Sequence, residues 1–275
     1  MAIEDCKEAQ AIAEARAKEG KNKVAMNLFY KTAECWNRWE SFVKAAQAYE
    51  RAYEHGMLCH EYSTAIDYLL KGAMAWIRQG EYEKFELDYQ IAAEGHIMAA
   101  EKDKNPQHFI EGAFCAIVGG DIDFAKELIH ASVETLKGTA KEKTNLALML
   151  LEYQFGDADR YIESALKRVL DRKGVKKVRQ IFTLTFEGFV RTSLESEAAV
   201  TVTSLSESTG LSENVVESLV RRGTRNGHIP AFLDEEALEL IVDSDRFDLS
   251  RLKRRKGPIQ SRELEDPGAW DMELD

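Results

Sequence analysis

Proline is scarce. Four prolines in 275 residues, where globular chains average about 5%, are too few for a turn-dense β-sandwich, a collagen-like repeat or a Pro-rich linker. Cysteine is sparse too: Cys6, Cys35, Cys59 and Cys115 are scattered singly along the chain. No pair has the spacing of a zinc or redox motif, so all four are expected as reduced thiols with no disulfide framework. No window approaches the roughly 18 consecutive apolar residues that span a bilayer, and the opening Met-Ala-Ile-Glu-Asp-Cys lacks the basic-then-apolar order of a signal peptide. A cytoplasmic location is expected.

Catalytic signatures are missing as well. The sequence has no Gly-rich phosphate loop, no His-Glu-x-x-His and no Gly-x-Ser-x-Gly elbow. His55, Cys59 and His60 form the only compact set of metal-capable residues. Gly56 weakens the helix that would put His55 and Cys59 on one face, and no third and fourth ligands follow. Neither an enzyme, nor a cofactor, nor a metal site is predicted.

A core is well supplied: 44% of residues are hydrophobic and 31% charged. With 37 basic against 48 acidic side chains the net charge is −11, which discourages general affinity for phosphate backbones. Two basic stretches run against that balance. One comprises Lys167, Arg168, Arg172, Lys173, Lys176, Lys177 and Arg179, the other Arg251, Lys253, Arg254, Arg255 and Lys256. Solvated helix ends and a tail are the plain reading of both; nucleic acid or an acidic lipid surface is the alternative, so peripheral membrane contact stays open.

The sequence aligns with itself without a gap when residue 29 is laid on residue 69 and residue 69 on residue 109. Phe29, Leu69 and Phe109 align, as do Ala33, Ala73 and Ala113, and Trp36, Trp76 and Ala116. A second set follows: Phe42, Tyr82 and Ile122; Ala45, Phe85 and Ala125; Tyr49, Tyr89 and Ile129. Steps of 3 and 4 place each set on one helical face, and Ala opposite a large aromatic lets two antiparallel helices approach closely. Each unit is therefore a helical hairpin. Gly156-Asp157 repeats the turn signal of Gly80-Glu81 and Gly120-Asp121, giving a fourth, looser hairpin over about 140–172, and an opening helix over 3–19 caps the array.

Ala73-x-x-Trp76 followed by Gly80-Glu-Tyr-x-x-Phe85, and Gly119-Gly-Asp-Ile-Asp-Phe-Ala125, resemble the helix-turn-helix core of tetratricopeptide repeats. The unit here is longer than that family's, and with Phe29 to Trp36 and Lys44 to Ala52 it looks more like the soluble attachment proteins of membrane-fusion machinery. The resemblance implies an all-α, right-handed helical-hairpin solenoid over 1–173 and says little about ligand.

In solenoids of this type a second face of each first helix looks toward the concave side. It reads Asn27, Tyr30, Glu34, Asn37, then Asp67, Leu70, Met74, Ile77, then Gln107, Ile110, Phe114, Ile117. A partner helix laid there would bury Met74, Ile77, Phe114 and Ile117, with Arg78 free to pair a carboxylate. The competing reading packs these residues between neighbouring hairpins.

After a linking helix in 174–199 the texture changes. Val200-Thr201-Val202 is a short β-type run, Leu205 to Thr209 a brief helix, and Ser212 can cap a helix carrying Val215, Val216, Leu219 and Val220. Ile229, Ala231 and Leu233, then Leu238, Leu240 and Val242, alternate as two strands of a hairpin, with Pro230 suiting an edge. Helix, turn, helix and hairpin over 200–243 predict a winged helix. Its cations, Arg221, Arg222 and Arg225, fall late in the second helix, and Asp234, Glu235 and Glu236 occupy the wing tip. DNA binding is disfavoured and protein contact favoured.

Leu205 to Val216 and Gly227-His-Ile-Pro-Ala-Phe-Leu-Asp234, following a helical array, resemble the PCI module of proteasome-lid, signalosome and initiation-factor scaffolds. In that family the winged helix docks edge to edge, which would engage Ile229, Ala231 and Leu233. The remaining 244–275 is expected to be a flexible charged tail, in which Trp270, Met272 and Leu274 could add to a sheet edge or dock in a groove. The function expected is a non-enzymatic adaptor for protein partners, homo- or hetero-oligomeric. An attachment-protein-like adaptor for a remodelling ATPase and a nucleic-acid-binding regulator are the alternatives.

Overall fold

The computed structural model describes residues 3–132, 136–197 and 199–243. It is all-α with one small sheet. Eight helices lead: α1 Ile3–Lys18, α2 Asn22–Arg38, α3 Phe42–Leu58, α4 Tyr62–Arg78, α5 Tyr82–Asp103, α6 Gln107–Val118, α7 Ile122–Ser132 and α8 Thr139–Leu151. Then come α9 Phe155–Tyr161, a π-helical turn Ile162–Leu166, α10 Lys167–Val169 and the long α11 Arg172–Ser196. Last are β1 Ala199–Thr201, α12 Val202–Thr209, α13 Glu213–Arg225, β2 Ala231–Asp234 and β3 Glu239–Val242.

The helices from α1 to α7 pack as consecutive hairpins, a solenoid-like arrangement. Its structural step is a single helix with its turn, half the offset at which the sequence matches itself. Helices α2, α3 and α4 are each 17 residues long, and the residue that turns the chain has positive φ at Gly20 (71°), Glu40 (54°), His60 (58°) and Gly80 (79°). In each turn from Glu40 to Gly80 the next amide donates back to a carbonyl in the closing turn of the helix: Ser41 N to Trp36 O, Glu61 N to Gly56 O and Glu81 N to Trp76 O. This is the wrap-around hydrogen bond of a left-handed helix terminus. Helix α5 overruns, so the following turn falls at Lys104 (φ 52°), and Gly120 (φ 77°) restores the phase.

Packing follows the repeat. Phe29, Trp36, Leu69, Trp76, Phe85 and Phe114 are at most 2% exposed, and burying a side chain of this size contributes about 2–3 kcal/mol. Small residues face them. A Cβ on Gly56 would lie 2.6 Å from that of Ala65, so only glycine permits this approach of α3 to α4.

Cys6 and Cys35 are joined in a disulfide, their Cα atoms 5.6 Å apart; Cys59 and Cys115 are free. The expectation of four reduced thiols is corrected here. The spacing of this pair in the sequence carries no motif, but folding α1 back on α2 brings the two Cα atoms into bridging range. The bond matters because α1 buries only Cys6 and Ala13 and otherwise has little to hold it. Replacing Cys6 by Ser is expected to cost about 3 kcal/mol, read from urea unfolding in non-reducing buffer. Equal midpoints for the two proteins there would remove the disulfide as the tie.

One core position is electrostatically costly. Asp88 on α5 is 4% exposed, and its Oδ2 has no hydrogen-bond partner. Burial, with a smaller contribution from Glu50, pushes its carboxyl up to about 8. The folded state therefore keeps a proton that the unfolded chain releases near pH 4, so stability falls as pH rises from about 4 to 8 and then levels off. Asp88→Asn should flatten that fall, with a gain on the order of several kcal/mol at pH 8 and little at pH 4. Denaturation midpoints across that range would test it; a parallel decline in both proteins would count against the assignment.

The C-terminal elements form a sheet of order β1-β3-β2, all antiparallel. Val200 pairs with Leu240, and Leu233 with the same residue from the other side. Thr201 caps α12 by accepting from Ser204 N at 3.0 Å, and Gly210 (φ 67°) turns the chain toward α13. The segment expected to link the two parts is the 25-residue α11. Its Phe182 and Phe186 meet Phe155 edge-on at 5.7 and 5.5 Å, tying α9 to α11. Gly156 does not make the turn assigned to it from sequence; Tyr153 (φ 55°) does. Gly156 lies inside α9, and glycine is required there because a Cβ would collide with the Gly210 carbonyl.

Candidate functional site

A cleft of about 770 Å³ opens between the solenoid and α11. Its floor is Leu70, Met74 and Phe114, from α4 and α6, facing Ile181 of α11. Its wall on α11 carries Lys173, Lys176, Lys177 and Gln180, whose 3–4 spacing keeps them on one face. A second cleft of about 630 Å³ shares Met74, Lys176 and Gln180 with it and continues to Arg222 and His228. Together they make one groove from α2 to the C-terminal module.

Most charges in the first cleft are committed. Glu34 accepts from Tyr49 OH at 2.7 Å and Lys71 Nζ at 3.0 Å; burial raises its carboxyl, and those two partners outweigh burial and leave it lowered. Glu111 bridges Lys143 and Lys177. Burial works against its charged form, but the two ammonium groups hold it at about 2. Lys177 stays charged for the same reason: burial disfavours it, and Glu111 raises it. Asp171 Oδ1 accepts from Gly174 N at 2.7 Å. Arg78 lies over the Phe42 ring at 5.6 Å. Neither it nor Lys173 nor Lys176 forms a salt bridge among the described residues. The cleft thus combines an apolar floor with three exposed cations, Arg78, Lys173 and Lys176, set against the exposed acid Asp67, which also forms no salt bridge among the described residues. Cys115, on α6 beside Phe114, is driven up to about 12 by burial, so its thiol is unreactive.

Of the groove residues expected from sequence, Met74, Arg78 and Phe114 line this cleft. Ile77 and Ile117 do not line it and lie inside the core, while Phe114, itself only 1% exposed, closes the bottom of the cleft. Each sits three residues beyond a floor residue, which falls short of a full helical turn, and the shortfall rotates it away from the cleft toward the neighbouring helices. The α11 basic stretch is the lining signal that sequence reading passes over, because its plain reading is a solvated surface.

In the C-terminal module Ile229 and Ala231 are buried, at 0% and 5%, and Leu233 is half-buried, so the alternation expected to present them presents Phe232 instead, 54% exposed. The inner face is fixed by α13: a Cβ on Gly223 would lie 2.6 Å from Ile229 Cδ1. Strand β2 pairs only with β3 among the described residues, leaving its outer edge open beside Phe232. Trp270, Met272 and Leu274 lie outside the described residues.

Two of the three cations of α13 are engaged within the protein: Arg221 with Glu217 and Glu235, and Arg222 with Thr183 Oγ1 at 2.9 Å; Arg225 is exposed at the helix end. His55 and His60 part company, His55 Nδ1 meeting Asn22 Oδ1 at 3.0 Å and His60 Nδ1 meeting Tyr62 OH at 2.8 Å. No group of three metal-capable side chains occurs among the described residues. None of their helices is long and apolar enough to cross a membrane.

A buried polar network locks the module to the solenoid and so shapes the second cleft. His228 Nδ1 donates to Glu187 Oε2 at 2.9 Å. Arg191, 4% exposed, donates to His228 O at 3.2 Å, approaches Glu86 Oε1 at 3.6 Å and lies over Tyr82 at 5.3 Å. Tyr82 OH donates to Gly227 O at 2.8 Å. Removing one partner of a buried charged set costs about 3–5 kcal/mol, so Arg191→Ala should cost that much, with early proteolysis within 199–243 in limited digests. A variant as stable and as resistant as wild type would show the network to be dispensable.

Searches against protein-family models and curated proteins return no match for this sequence.

Proposed function

We propose that the protein is a non-enzymatic adaptor whose solenoid groove holds a protein partner while its C-terminal module mediates assembly. The cleft carries the reading: an apolar floor of Leu70, Met74 and Phe114 beneath unpaired Arg78, Lys173 and Lys176 suits an amphipathic segment with acidic side chains. We further read the hairpins as tetratricopeptide-like, and the helix-helix-hairpin order of α12, α13, β2 and β3 as that of a PCI-type winged helix. The open edge of β2, with Phe232 exposed, supports lateral pairing to another sheet edge.

Nucleic acid is the weaker reading, because Arg221 and Arg222 are spent on internal partners. We place the adaptor in the cytoplasm, where the Cys6–Cys35 bond would face thiol reductants.

Affinity capture from native lysate, followed by sedimentation, tests the proposal. Wild type should retain a discrete partner, and the double change Lys173→Glu, Lys176→Glu should lose it while staying folded. Phe232→Asp should leave capture intact and abolish self-association. A strictly monomeric wild type that retains nothing would overturn the adaptor reading, and duplex or RNA binding with a steep salt slope would replace it.

A further inference from the structure

We propose that the cleft is a docking site for this chain's own residues 263–275, bound in cis. The proposal rests on reading the cleft as a protein-binding groove, and names its first occupant.

Three observations converge. The first is charge. Residues 263–275 read Glu-Leu-Glu-Asp-Pro-Gly-Ala-Trp-Asp-Met-Glu-Leu-Asp: six carboxylates and no cation. Arg78, Lys173 and Lys176 offer three cations without a salt-bridge partner among the described residues. The second is the apolar complement. Trp270, Met272 and Leu274 are interleaved with Asp271, Glu273 and Asp275, and the cleft presents Leu70, Met74, Phe114 and Ile181 within the same 770 Å³. An amphipathic segment would set its apolar side chains on that floor and its carboxylates against the α11 wall.

The third is reach and register. The described chain ends at Asp243, whose N–H donates to Pro230 O at 2.9 Å. Pro230 follows closely on His228, a lining residue of the second cleft. The exit therefore lies at one end of the groove. Residues 244–262 intervene, enough for at most about 68 Å of extended chain. They include Arg251, Lys253, Arg254, Arg255 and Lys256, which the cleft's cations repel. Residues 244–250 carry two acids, one cation, Phe247 and Leu249, whereas 263–275 combine six acidic side chains with no cation, so the charge pattern favours the stretch beyond residue 262.

The test uses a fluorescein-labelled peptide of residues 263–275, the full chain, and a chain ending at Arg262. By anisotropy the peptide should bind the shortened chain. It should bind the full chain about 100-fold more weakly if its Kd is near 10 μM, because a tethered segment competes at about millimolar effective concentration. The double change Lys173→Glu, Lys176→Glu in the shortened chain, made at exposed positions, should weaken peptide binding at least about tenfold, as two reversed charges at one mouth would. No binding to the shortened chain, equal binding to both chains, or affinity unmoved by charge reversal would overturn the proposal. So would a full chain that sediments as a dimer while the shortened one is monomeric, since that assigns the segment to a second copy. Partner capture lost on charge reversal but without peptide binding would leave the adaptor reading standing and remove this one; peptide binding without any captured partner would do the reverse.

Discussion

A left-handed turn recurring in step at Gly20, Glu40, His60 and Gly80 is the constraint on which the solenoid rests. Each helix must stop at the same phase for the next to lie antiparallel against it with its small residues facing its neighbour's aromatics. Gly20 and Gly80 adopt positive φ without steric cost, whereas Glu40 and His60 adopt it against their own Cβ atoms. That a glutamate and a histidine are held there shows that packing on both sides fixes the turn more strongly than local preference does. Trp36 and Trp76, 2% exposed at equivalent places before two of these turns, supply much of that packing.

The groove follows from the same geometry and one addition. Stacked hairpins leave a concave side, and α11 closes it. The helix achieves this by dividing its faces: Val178, Phe182, Phe186 and Val190 are buried, while Lys173, Lys176 and Gln180 face the cleft. Glu111 bridges Lys177 and Lys143 and offsets one of their two charges, and Arg78, Lys173 and Lys176 add exposed positive charge at the mouth. An incoming carboxylate meets cations there without having to displace an internal partner, which is the arrangement that favours binding over mere solubility.

The hairpins and the small sheet are legible in the sequence because both announce themselves by periodicity. The hairpin repeat is visible since α2 and α4 present alike residues, Phe29 with Leu69 and Trp36 with Trp76. The underlying single-helix step is hidden because successive helices face different neighbours. Periodicity names a face but not its surroundings: Met74 reaches the cleft, while Ile77, not quite a turn further, reaches the core. Alternation identifies strand β2 but not its outward side, because Ile229 and Phe232 are equally apolar and only the position of α13 tells them apart. The Cys6–Cys35 bond and the Gly156–Gly210 approach are products of tertiary contact between distant segments, and nothing local encodes either.

Net charge and local charge point in opposite directions in this protein, and distance decides between them. At physiological ionic strength fields are screened over about 8 Å, so the net −11 repels an acidic molecule only once it has come close to the surface. Within the cleft the neighbours are a few ångströms away, and the Arg78, Lys173 and Lys176 side chains dominate. An acidic segment in free solution must first approach through the unfavourable field, whereas one tethered beside His228 begins inside it. A partner that displaces such a segment therefore has to supply apolar contact with the half-buried Leu70 and Met74 of the floor beyond what charge alone provides, which makes the floor the element that discriminates among acidic ligands.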